Sequence, residues 1–230
     1  MITKLLSTAV KFYLRSQVSQ VEDLQVKITG KNSQILQGYI PKVFLSCQRG
    51  IYQGLHLREV MINGTNIAIN LPEVLKKKPL RLLEPIIVDL KVCLNEKDLI
   101  ASIDADLLQS GLRDLWQIIV STSQFTLANS PLKDTPIKWN KIAIANNQLN
   151  LSGTYQDNTG KNNNLNVFTG ITLSNSHTLS LFPLKITHNA KTIDELTKKL
   201  EIDLGKDVDI ENLIVESEEL LCTGKITINV

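Results

Sequence analysis

Aliphatic residues alternate with polar ones along most of the chain, and this two-residue period is the signature of half-buried β-strands. Leu24, Val26 and Ile28 open the pattern. Leu55 and Leu57 continue it, as do Ile67 and Ile69 beyond Asn63-Gly64, a dipeptide suited to a hairpin turn. Ile86, Val88, Leu90, Val92 and Leu94 follow, with Ile87 and Cys93 making the opposite face partly apolar. After a loop-like stretch over Thr122–Thr135, strands resume at Ile137, Trp139, Ile142 and Ile144, turn at Asn146-Asn147, and return through Leu149 and Leu151. A polar, Asn-rich loop is expected at Gln156–Asn164, then strands through Leu165, Val167, Ile171 and Leu173 and through Leu179, Leu181, Leu184 and Ile186. A last hairpin runs from Leu213 and Val215 to Ile226 and Ile228. Such a chain folds mainly as antiparallel sheet.

Helical periods interrupt the strands at a few places. Ile2, Leu5, Leu6, Ala9, Val10, Tyr13 and Leu14 fall on one stripe of a helix over residues 1–17, with Lys4, Lys11 and Arg15 off it. That stripe suits either the protein's own sheet or a membrane interface, where the cations would meet headgroups. A short helix is expected within Leu71–Glu84, beside the cluster Lys76, Lys77, Lys78 and Arg81. Asn95 followed by Asp98 has the form of an N-cap, opening a central helical region over 95–120 with a break near Asp104. Leu108, Leu112, Leu115 and Ile119 then share a face widened by Leu107, Trp116 and Ile118, too broad for a solvated helix. Thr192–Leu200 also reads as helix.

The 230 residues are read as one domain, since β-rich units of this size often remain undivided. Aromatics are only 5% of the chain, which argues against stacking platforms for single-stranded nucleic acid. The net charge of +2 hides an asymmetry: residues 1–91 carry 13 Lys and Arg against 6 Asp and Glu, and the remainder is net acidic. A basic first part suits an anionic surface. Cys47, Cys93 and Cys222 lack metal or disulfide spacing, so reduced thiols are expected. Leu5–Val10 is broken by Ser7 and Thr8 and closed by Lys11, which does not fit an export signal, and no segment has the ~20 apolar residues of a membrane span. The expected location is cytoplasmic or peripheral on an inner membrane face.

Val21-Glu22-Asp23-Leu24-Gln25-Val26 echoes Ile210-Glu211-Asn212-Leu213-Ile214-Val215, and Leu36-Gln37-Gly38, Leu151-Ser152-Gly153 and Cys222-Thr223-Gly224 read as similar return strands. Duplication of a β unit and the generic likeness of amphipathic hairpins both account for this. No nucleophile elbow, paired metal-binding histidines or phosphate-binding glycine loop occurs, and His56, His177 and His188 lie in or near strands, where structural roles dominate. No cofactor and no metal are expected, and no catalysis.

Several strings occur in a familiar order: Gly38-Tyr39-Ile40-Pro41-Lys42-Val43, Tyr52-Gln53-Gly54-Leu55-His56-Leu57, Ile67-Ala68-Ile69-Asn70-Leu71, Val74 through Pro85, Ile142-Ala143-Ile144-Ala145-Asn146 and Leu220-Leu221-Cys222-Thr223-Gly224. Together they resemble the LmeA family of phospholipid-binding proteins, especially its cyanobacterial branch, over nearly the whole chain. The resemblance implies an α+β fold of the tubular lipid-binding kind, a long curved antiparallel sheet wrapped around one or two helices with an apolar groove for acyl chains. It implies binding, and in extension transfer, of phospholipid or glycolipid at an anionic membrane surface. The aliphatic faces available for such a groove are Leu107, Leu108, Leu112, Leu115, Trp116 and Ile119 on the helix and Ile86, Val88 and Leu90 on a strand; Lys4, Lys11, Arg15, Lys76, Lys77, Lys78 and Arg81 are the candidates for headgroup contact. A membrane-associated scaffold without a lipid cavity and an enzyme acting on lipid or sugar are the competing readings. The oligomeric state is left open.

Overall fold

The computed structural model describes residues 6–8, 10, 11, 14, 15, 18–74, 76, 78–121, 132, 135–196 and 198–230. Among the described residues twelve strands form two antiparallel six-stranded sheets where the sequence predicts one long sheet. The first contains β1 (Val18–Thr29), β2 (Tyr39–Tyr52), β3 (Leu55–Ala68), β4 (Ile86–Asn95), β11 (Val208–Glu216) and β12 (Glu219–Ile228), in the order β1-β2-β3-β4-β12-β11. Between β4 and β11 the chain leaves to build the second sheet from β5 (Lys138–Ala145), β6 (Gln148–Gln156), β7 (Asn162–Asn175), β8 (Thr178–His188), β9 (Lys191–Leu196) and β10 (Leu200–Asp203). Its order is β10-β8-β7-β6-β5, with β9 also on β8. The division follows from that excursion: β12 returns to pair with β4 along its whole length, from Glu219 opposite Asn95 to Ile228 opposite Ile86.

The short helices are α1 (Asn32–Leu36), α2 (Leu71–Val74) and α3 (Glu96–Ala101), and the long one is α4 (Asp106–Ser121). The Asn95 side chain accepts the Asp98 N–H at 2.8 Å, as the expected N-cap, and the Asp98 carboxylate in return accepts the Asn95 N–H at 2.9 Å. The expected break falls between α3 and α4, at residues 102–105. Of the N-terminal stripe, Leu6 and Val10 lie against the first sheet's apolar cluster, so this face of the helical segment meets the protein rather than solvent. Ile2, Leu5, Ala9 and Tyr13 lie outside the described residues, as does most of Thr122–Thr135.

Three local expectations are corrected. Asn63-Gly64 is inside β3, not at a turn; a Cβ on Gly64 would sit 2.9 Å from Ile67 Cδ1, so the glycine answers crowding. The turn is Gln53-Gly54, with φ of 49° and 82°, the two positive values that a tight hairpin needs. Leu36-Gln37-Gly38 ends helix α1 and is no return strand. Thr192–Leu200 is not helical: β9 pairs with β8 through Lys185 opposite Glu195, and Leu200 opens β10 opposite Leu181. Charged helix formers were outweighed there by pairing at a sheet edge.

The sheets join where β11 would otherwise be a free edge. Asn147 N–H donates to Val215 O and Ile210 N–H to Ser176 O, each at 2.7 Å. Two apolar clusters result. One fills the space between α4 and the inner face of the second sheet, and the other closes one end of the first sheet beneath α1 and α2.

Candidate functional site

Alternation in each strand of the first sheet sends aliphatic side chains to one face, and the registers align them across strands. Val26 is opposite Leu45, Leu45 opposite Ile62, Ile62 opposite Leu90, and Leu90 opposite Gly224, which meets Ile210. The neighbouring row runs Cys47, Val60, Val92, Cys222 and Leu213. At the α1–α2 end this face is closed by buried Ile28, Ile86 and Val88. At the other end it meets the second cluster through Leu94, Leu220 and fully buried Val215. Between these closures Val26, Leu45, Cys47, Ile62, Leu90, Val92, Cys222 and Ile226 are only half-buried. A protein seldom leaves a continuous apolar strip this long without something to lay against it.

Near the junction of the sheets the strip deepens into a cavity of about 280 Å³. Leu90, Cys222 and Ile226 line it from β4 and β12, Val208 and Ile210 from β11, and Leu179 and Leu204 from the second sheet's side. That volume is just below the roughly 300–1,000 Å³ of small-ligand pockets, room for part of an acyl chain. Burial pushes the Cys47 and Cys222 thiols above the ordinary range, as expected for sulfur against hydrocarbon. Cys93 points to the opposite face, with Arg58, Glu59 and Asn95 around a polar depression; burial and then the Glu219 charge raise it. That face carries ion pairs, Lys91 with Glu59 at 2.7 Å and Arg58 with Glu219.

The residues expected to line one groove fall in different places. Leu112, Trp116 and Ile119 are buried in the cluster between α4 and the second sheet, with Leu108 and Leu115 at its margin; Leu107 is 43% exposed. Trp116 stands edge-to-face on Trp139 with ring centroids 6.1 Å apart, and the pair also borders a separate depression of about 250 Å³ lined by Gln109, Arg113 and Gln117. Ile86 and Val88 belong to the other cluster, and of the nine only Leu90 lines the apolar cavity. Val26, Leu45, Ile62, Ile210 and Ile226 were missed, although the pairing of apolar residues two apart with cysteine, Leu45 with Cys47 and Leu220 with Cys222, marks that face in the sequence.

The basic cluster is exposed and firmly held. Asn70, only 6% exposed, donates from Nδ2 to Pro79 O at 3.0 Å and accepts the Arg81 N–H on Oδ1 at 2.7 Å. Its own N–H donates to Arg81 O at 3.2 Å, and Leu83 N–H donates to Ala68 O at 2.9 Å. Lys76, Lys78 and Arg81 extend outward, with Lys78 3.7 Å from Glu73 in a solvent-exposed pair. Arg15 is exposed and Lys11 half-buried, whereas Lys4 and Lys77 lie outside the described residues. No helix among the described residues is long and apolar enough to cross a membrane. Among curated proteins and among solved structures, none matches this chain. A family model does match, over residues 1–225, and its description is LmeA-like phospholipid-binding: the chain belongs to the LmeA-like phospholipid-binding family.

Proposed function

We propose that the protein binds phospholipid without chemical turnover, laying an acyl chain along the half-buried strip of the first sheet while the headgroup stays in water. The observation that carries this reading is the strip itself: rows of aliphatic side chains, aligned by register and, apart from buried Val60, left half-open between two closed ends, in a chain of a phospholipid-binding family. Each methylene removed from water there gains about 0.8 kcal/mol, so ten give several kcal/mol even after ordering costs. The exposed cations Lys76, Lys78 and Arg81 support peripheral association with an anionic membrane, each adding about 1 kcal/mol near such a surface. Transfer between membranes, glycolipid as an alternative cargo, and a place on an inner membrane face belong to the same proposal.

Mass spectrometry of organic extracts of the purified chain tests it. Lipid at a stoichiometric level is expected, and it should be lost when Ile62 or Val92 is replaced by Lys, which sets a charge in the middle of the strip. A folded protein that carries no lipid, and takes none from vesicles, would overturn capture in favour of a membrane scaffold.

A further inference from the structure

We propose that the segment from Lys76 to Ile87 is a wedge that inserts into an anionic bilayer, Leu80, Leu83 and Ile87 entering the hydrocarbon border while Lys76, Lys78 and Arg81 hold the headgroups. The inference rests on the phospholipid reading and adds to it a partner surface and an orientation. Six of the thirteen large apolar residues exposed among the described residues, Leu36, Tyr39, Leu80, Leu83, Ile87 and Ile228, gather at one end of the first sheet. The topology brings them there: β1 and β12 finish at this end, and β2 and β4 begin there. Leu83 and Ile87 are 58% and 61% exposed, more than any other large apolar residue among the described ones except Val230.

Their exposure is imposed by the fold. Buried Asn70 clamps the segment through Pro79 and Arg81, the Leu83 N–H is tied to Ala68, and Leu82 bridges to Ile69 and packs inward. With Leu82 turned in and the backbone held on both sides, Leu80 and Leu83 cannot fold back onto the core. A buried amide with its polar groups satisfied is a costly way to hold a merely solvated turn.

Charge selects the occupant. Lys76, Lys78 and Arg81 exceed Glu73 and Glu84 along the segment, and like charges would face each other across a symmetric contact with a second copy. An anionic bilayer meets the cations with phosphates and the leucines with acyl chains in one encounter.

Leu83→Trp in the full chain gives a direct readout, because native Trp116 and Trp139 are 2% and 1% exposed and shielded from lipid. With vesicles of phosphatidylcholine and phosphatidylglycerol, the introduced indole should shift to the blue and be quenched by brominated acyl chains. Leu80→Ser with Leu83→Ser should weaken vesicle binding at least roughly tenfold and leave the remainder salt-sensitive. Replacing Lys76, Lys78 and Arg81 by Gln should remove the preference for anionic vesicles. An unquenched indole on vesicles that bind the protein overturns the wedge, as does wild-type binding by the double Ser variant. Conversion of a dimer to a monomer by those serines would assign the patch to a second copy instead. Lipid content of the same wild-type preparation separates the two proposals. Lipid-free protein that still inserts overturns capture alone, and lipid-laden protein that fails to insert overturns the wedge alone.

Discussion

The Glu96 carboxylate accepts the backbone N–H of Ile144 at 3.0 Å, tying the start of α3, which follows the first sheet, to edge strand β5 of the second. The Glu96 N–H in turn donates to Glu218 O at 2.8 Å, in the β11–β12 turn. One residue thus joins both sheets and the return hairpin. A hydrogen bond to a charged acceptor contributes about 1.5–3 kcal/mol, and Ile144 is 2% exposed, so losing the acceptor strands a buried donor. Glu96→Ala should lower unfolding free energy by that amount and raise hydrogen exchange at Ile144 first; Glu96→Gln, which keeps an oxygen there, should recover part of it. Equal stability of the Ala variant in denaturant titration would show that the sheets are held together elsewhere.

Leu112 and Leu90 were grouped on one groove by their sequence pattern, and their surroundings now separate them. Leu112 is 5% exposed inside the cluster under α4, whereas Leu90 is half-buried on the cavity. Leu112→Ala should therefore cost about 2–5 kcal/mol, the usual range for a packed core leucine. Leu90→Ala should cost less, because part of its surface is already open, and should reduce lipid content instead. A reversed ranking in thermal melts would show that Leu90, not Leu112, is the tightly packed residue of the two.

Much of the fold was legible because strand and helix periods are local. The run Ile86 to Leu94, the Asn95–Asp98 cap and the Asn146-Asn147 turn, with φ of 49° and 58°, were each readable from a few neighbours. Pairing was not. Nothing near Leu90 announces that its partners are Ile62 on one side and Gly224 on the other, since that register is set when β12 returns after the entire second sheet. The apolar strip is a product of those long-range registers, so only its alternating letters, not its continuity, were visible. The helix face at Leu112 looked like a groove wall because a filled core and an open groove require the same side chains. At the basic segment the cations were evident, but the support from Asn70 depends on a chain reversal that brings residue 81 back onto residue 70.

The β6–β7 loop provides a test by pH. Asp157 accepts hydrogen bonds from Thr159 Oγ1 at 2.5 Å, Asn163 Nδ2 at 3.0 Å and the N–H groups of Thr159 and Lys161 at 2.9 and 3.1 Å. The Thr159 hydroxyl first, then Asn163 and the backbone donors, hold this carboxyl well below the usual carboxylate range. A lowered folded value stabilises the loop above the ordinary value of about 3.9, and the contribution is lost only as pH falls through the lower one. The Thr159 and Lys161 amides should therefore keep their hydrogen-bonded chemical shifts at about pH 3, and Asp157→Ala should abolish them at neutral pH. Collapse of both shifts near pH 4 in the native chain would contradict the assigned bonding.

Three cysteines allow the lipid strip to be read without substitution. Cys47 and Cys222 stand in one row of the strip, separated by Val60 and Val92, while Cys93 projects from the other side of the same sheet. An acyl chain laid over that row would cover the two strip thiols and deepen their desolvation, which disfavours the reactive thiolate further. Cys93, among the charges of Arg58, Glu59 and Glu219, would gain no such cover. Alkylation at mildly alkaline pH, followed site by site by mass spectrometry, should slow several-fold at Cys47 and Cys222 when delipidated protein is reloaded, with Cys93 unchanged as the internal reference. Slowing at all three would indicate a general tightening of the sheet. Slowing at Cys93 alone would move the binding face to the charged side of the sheet and overturn the strip.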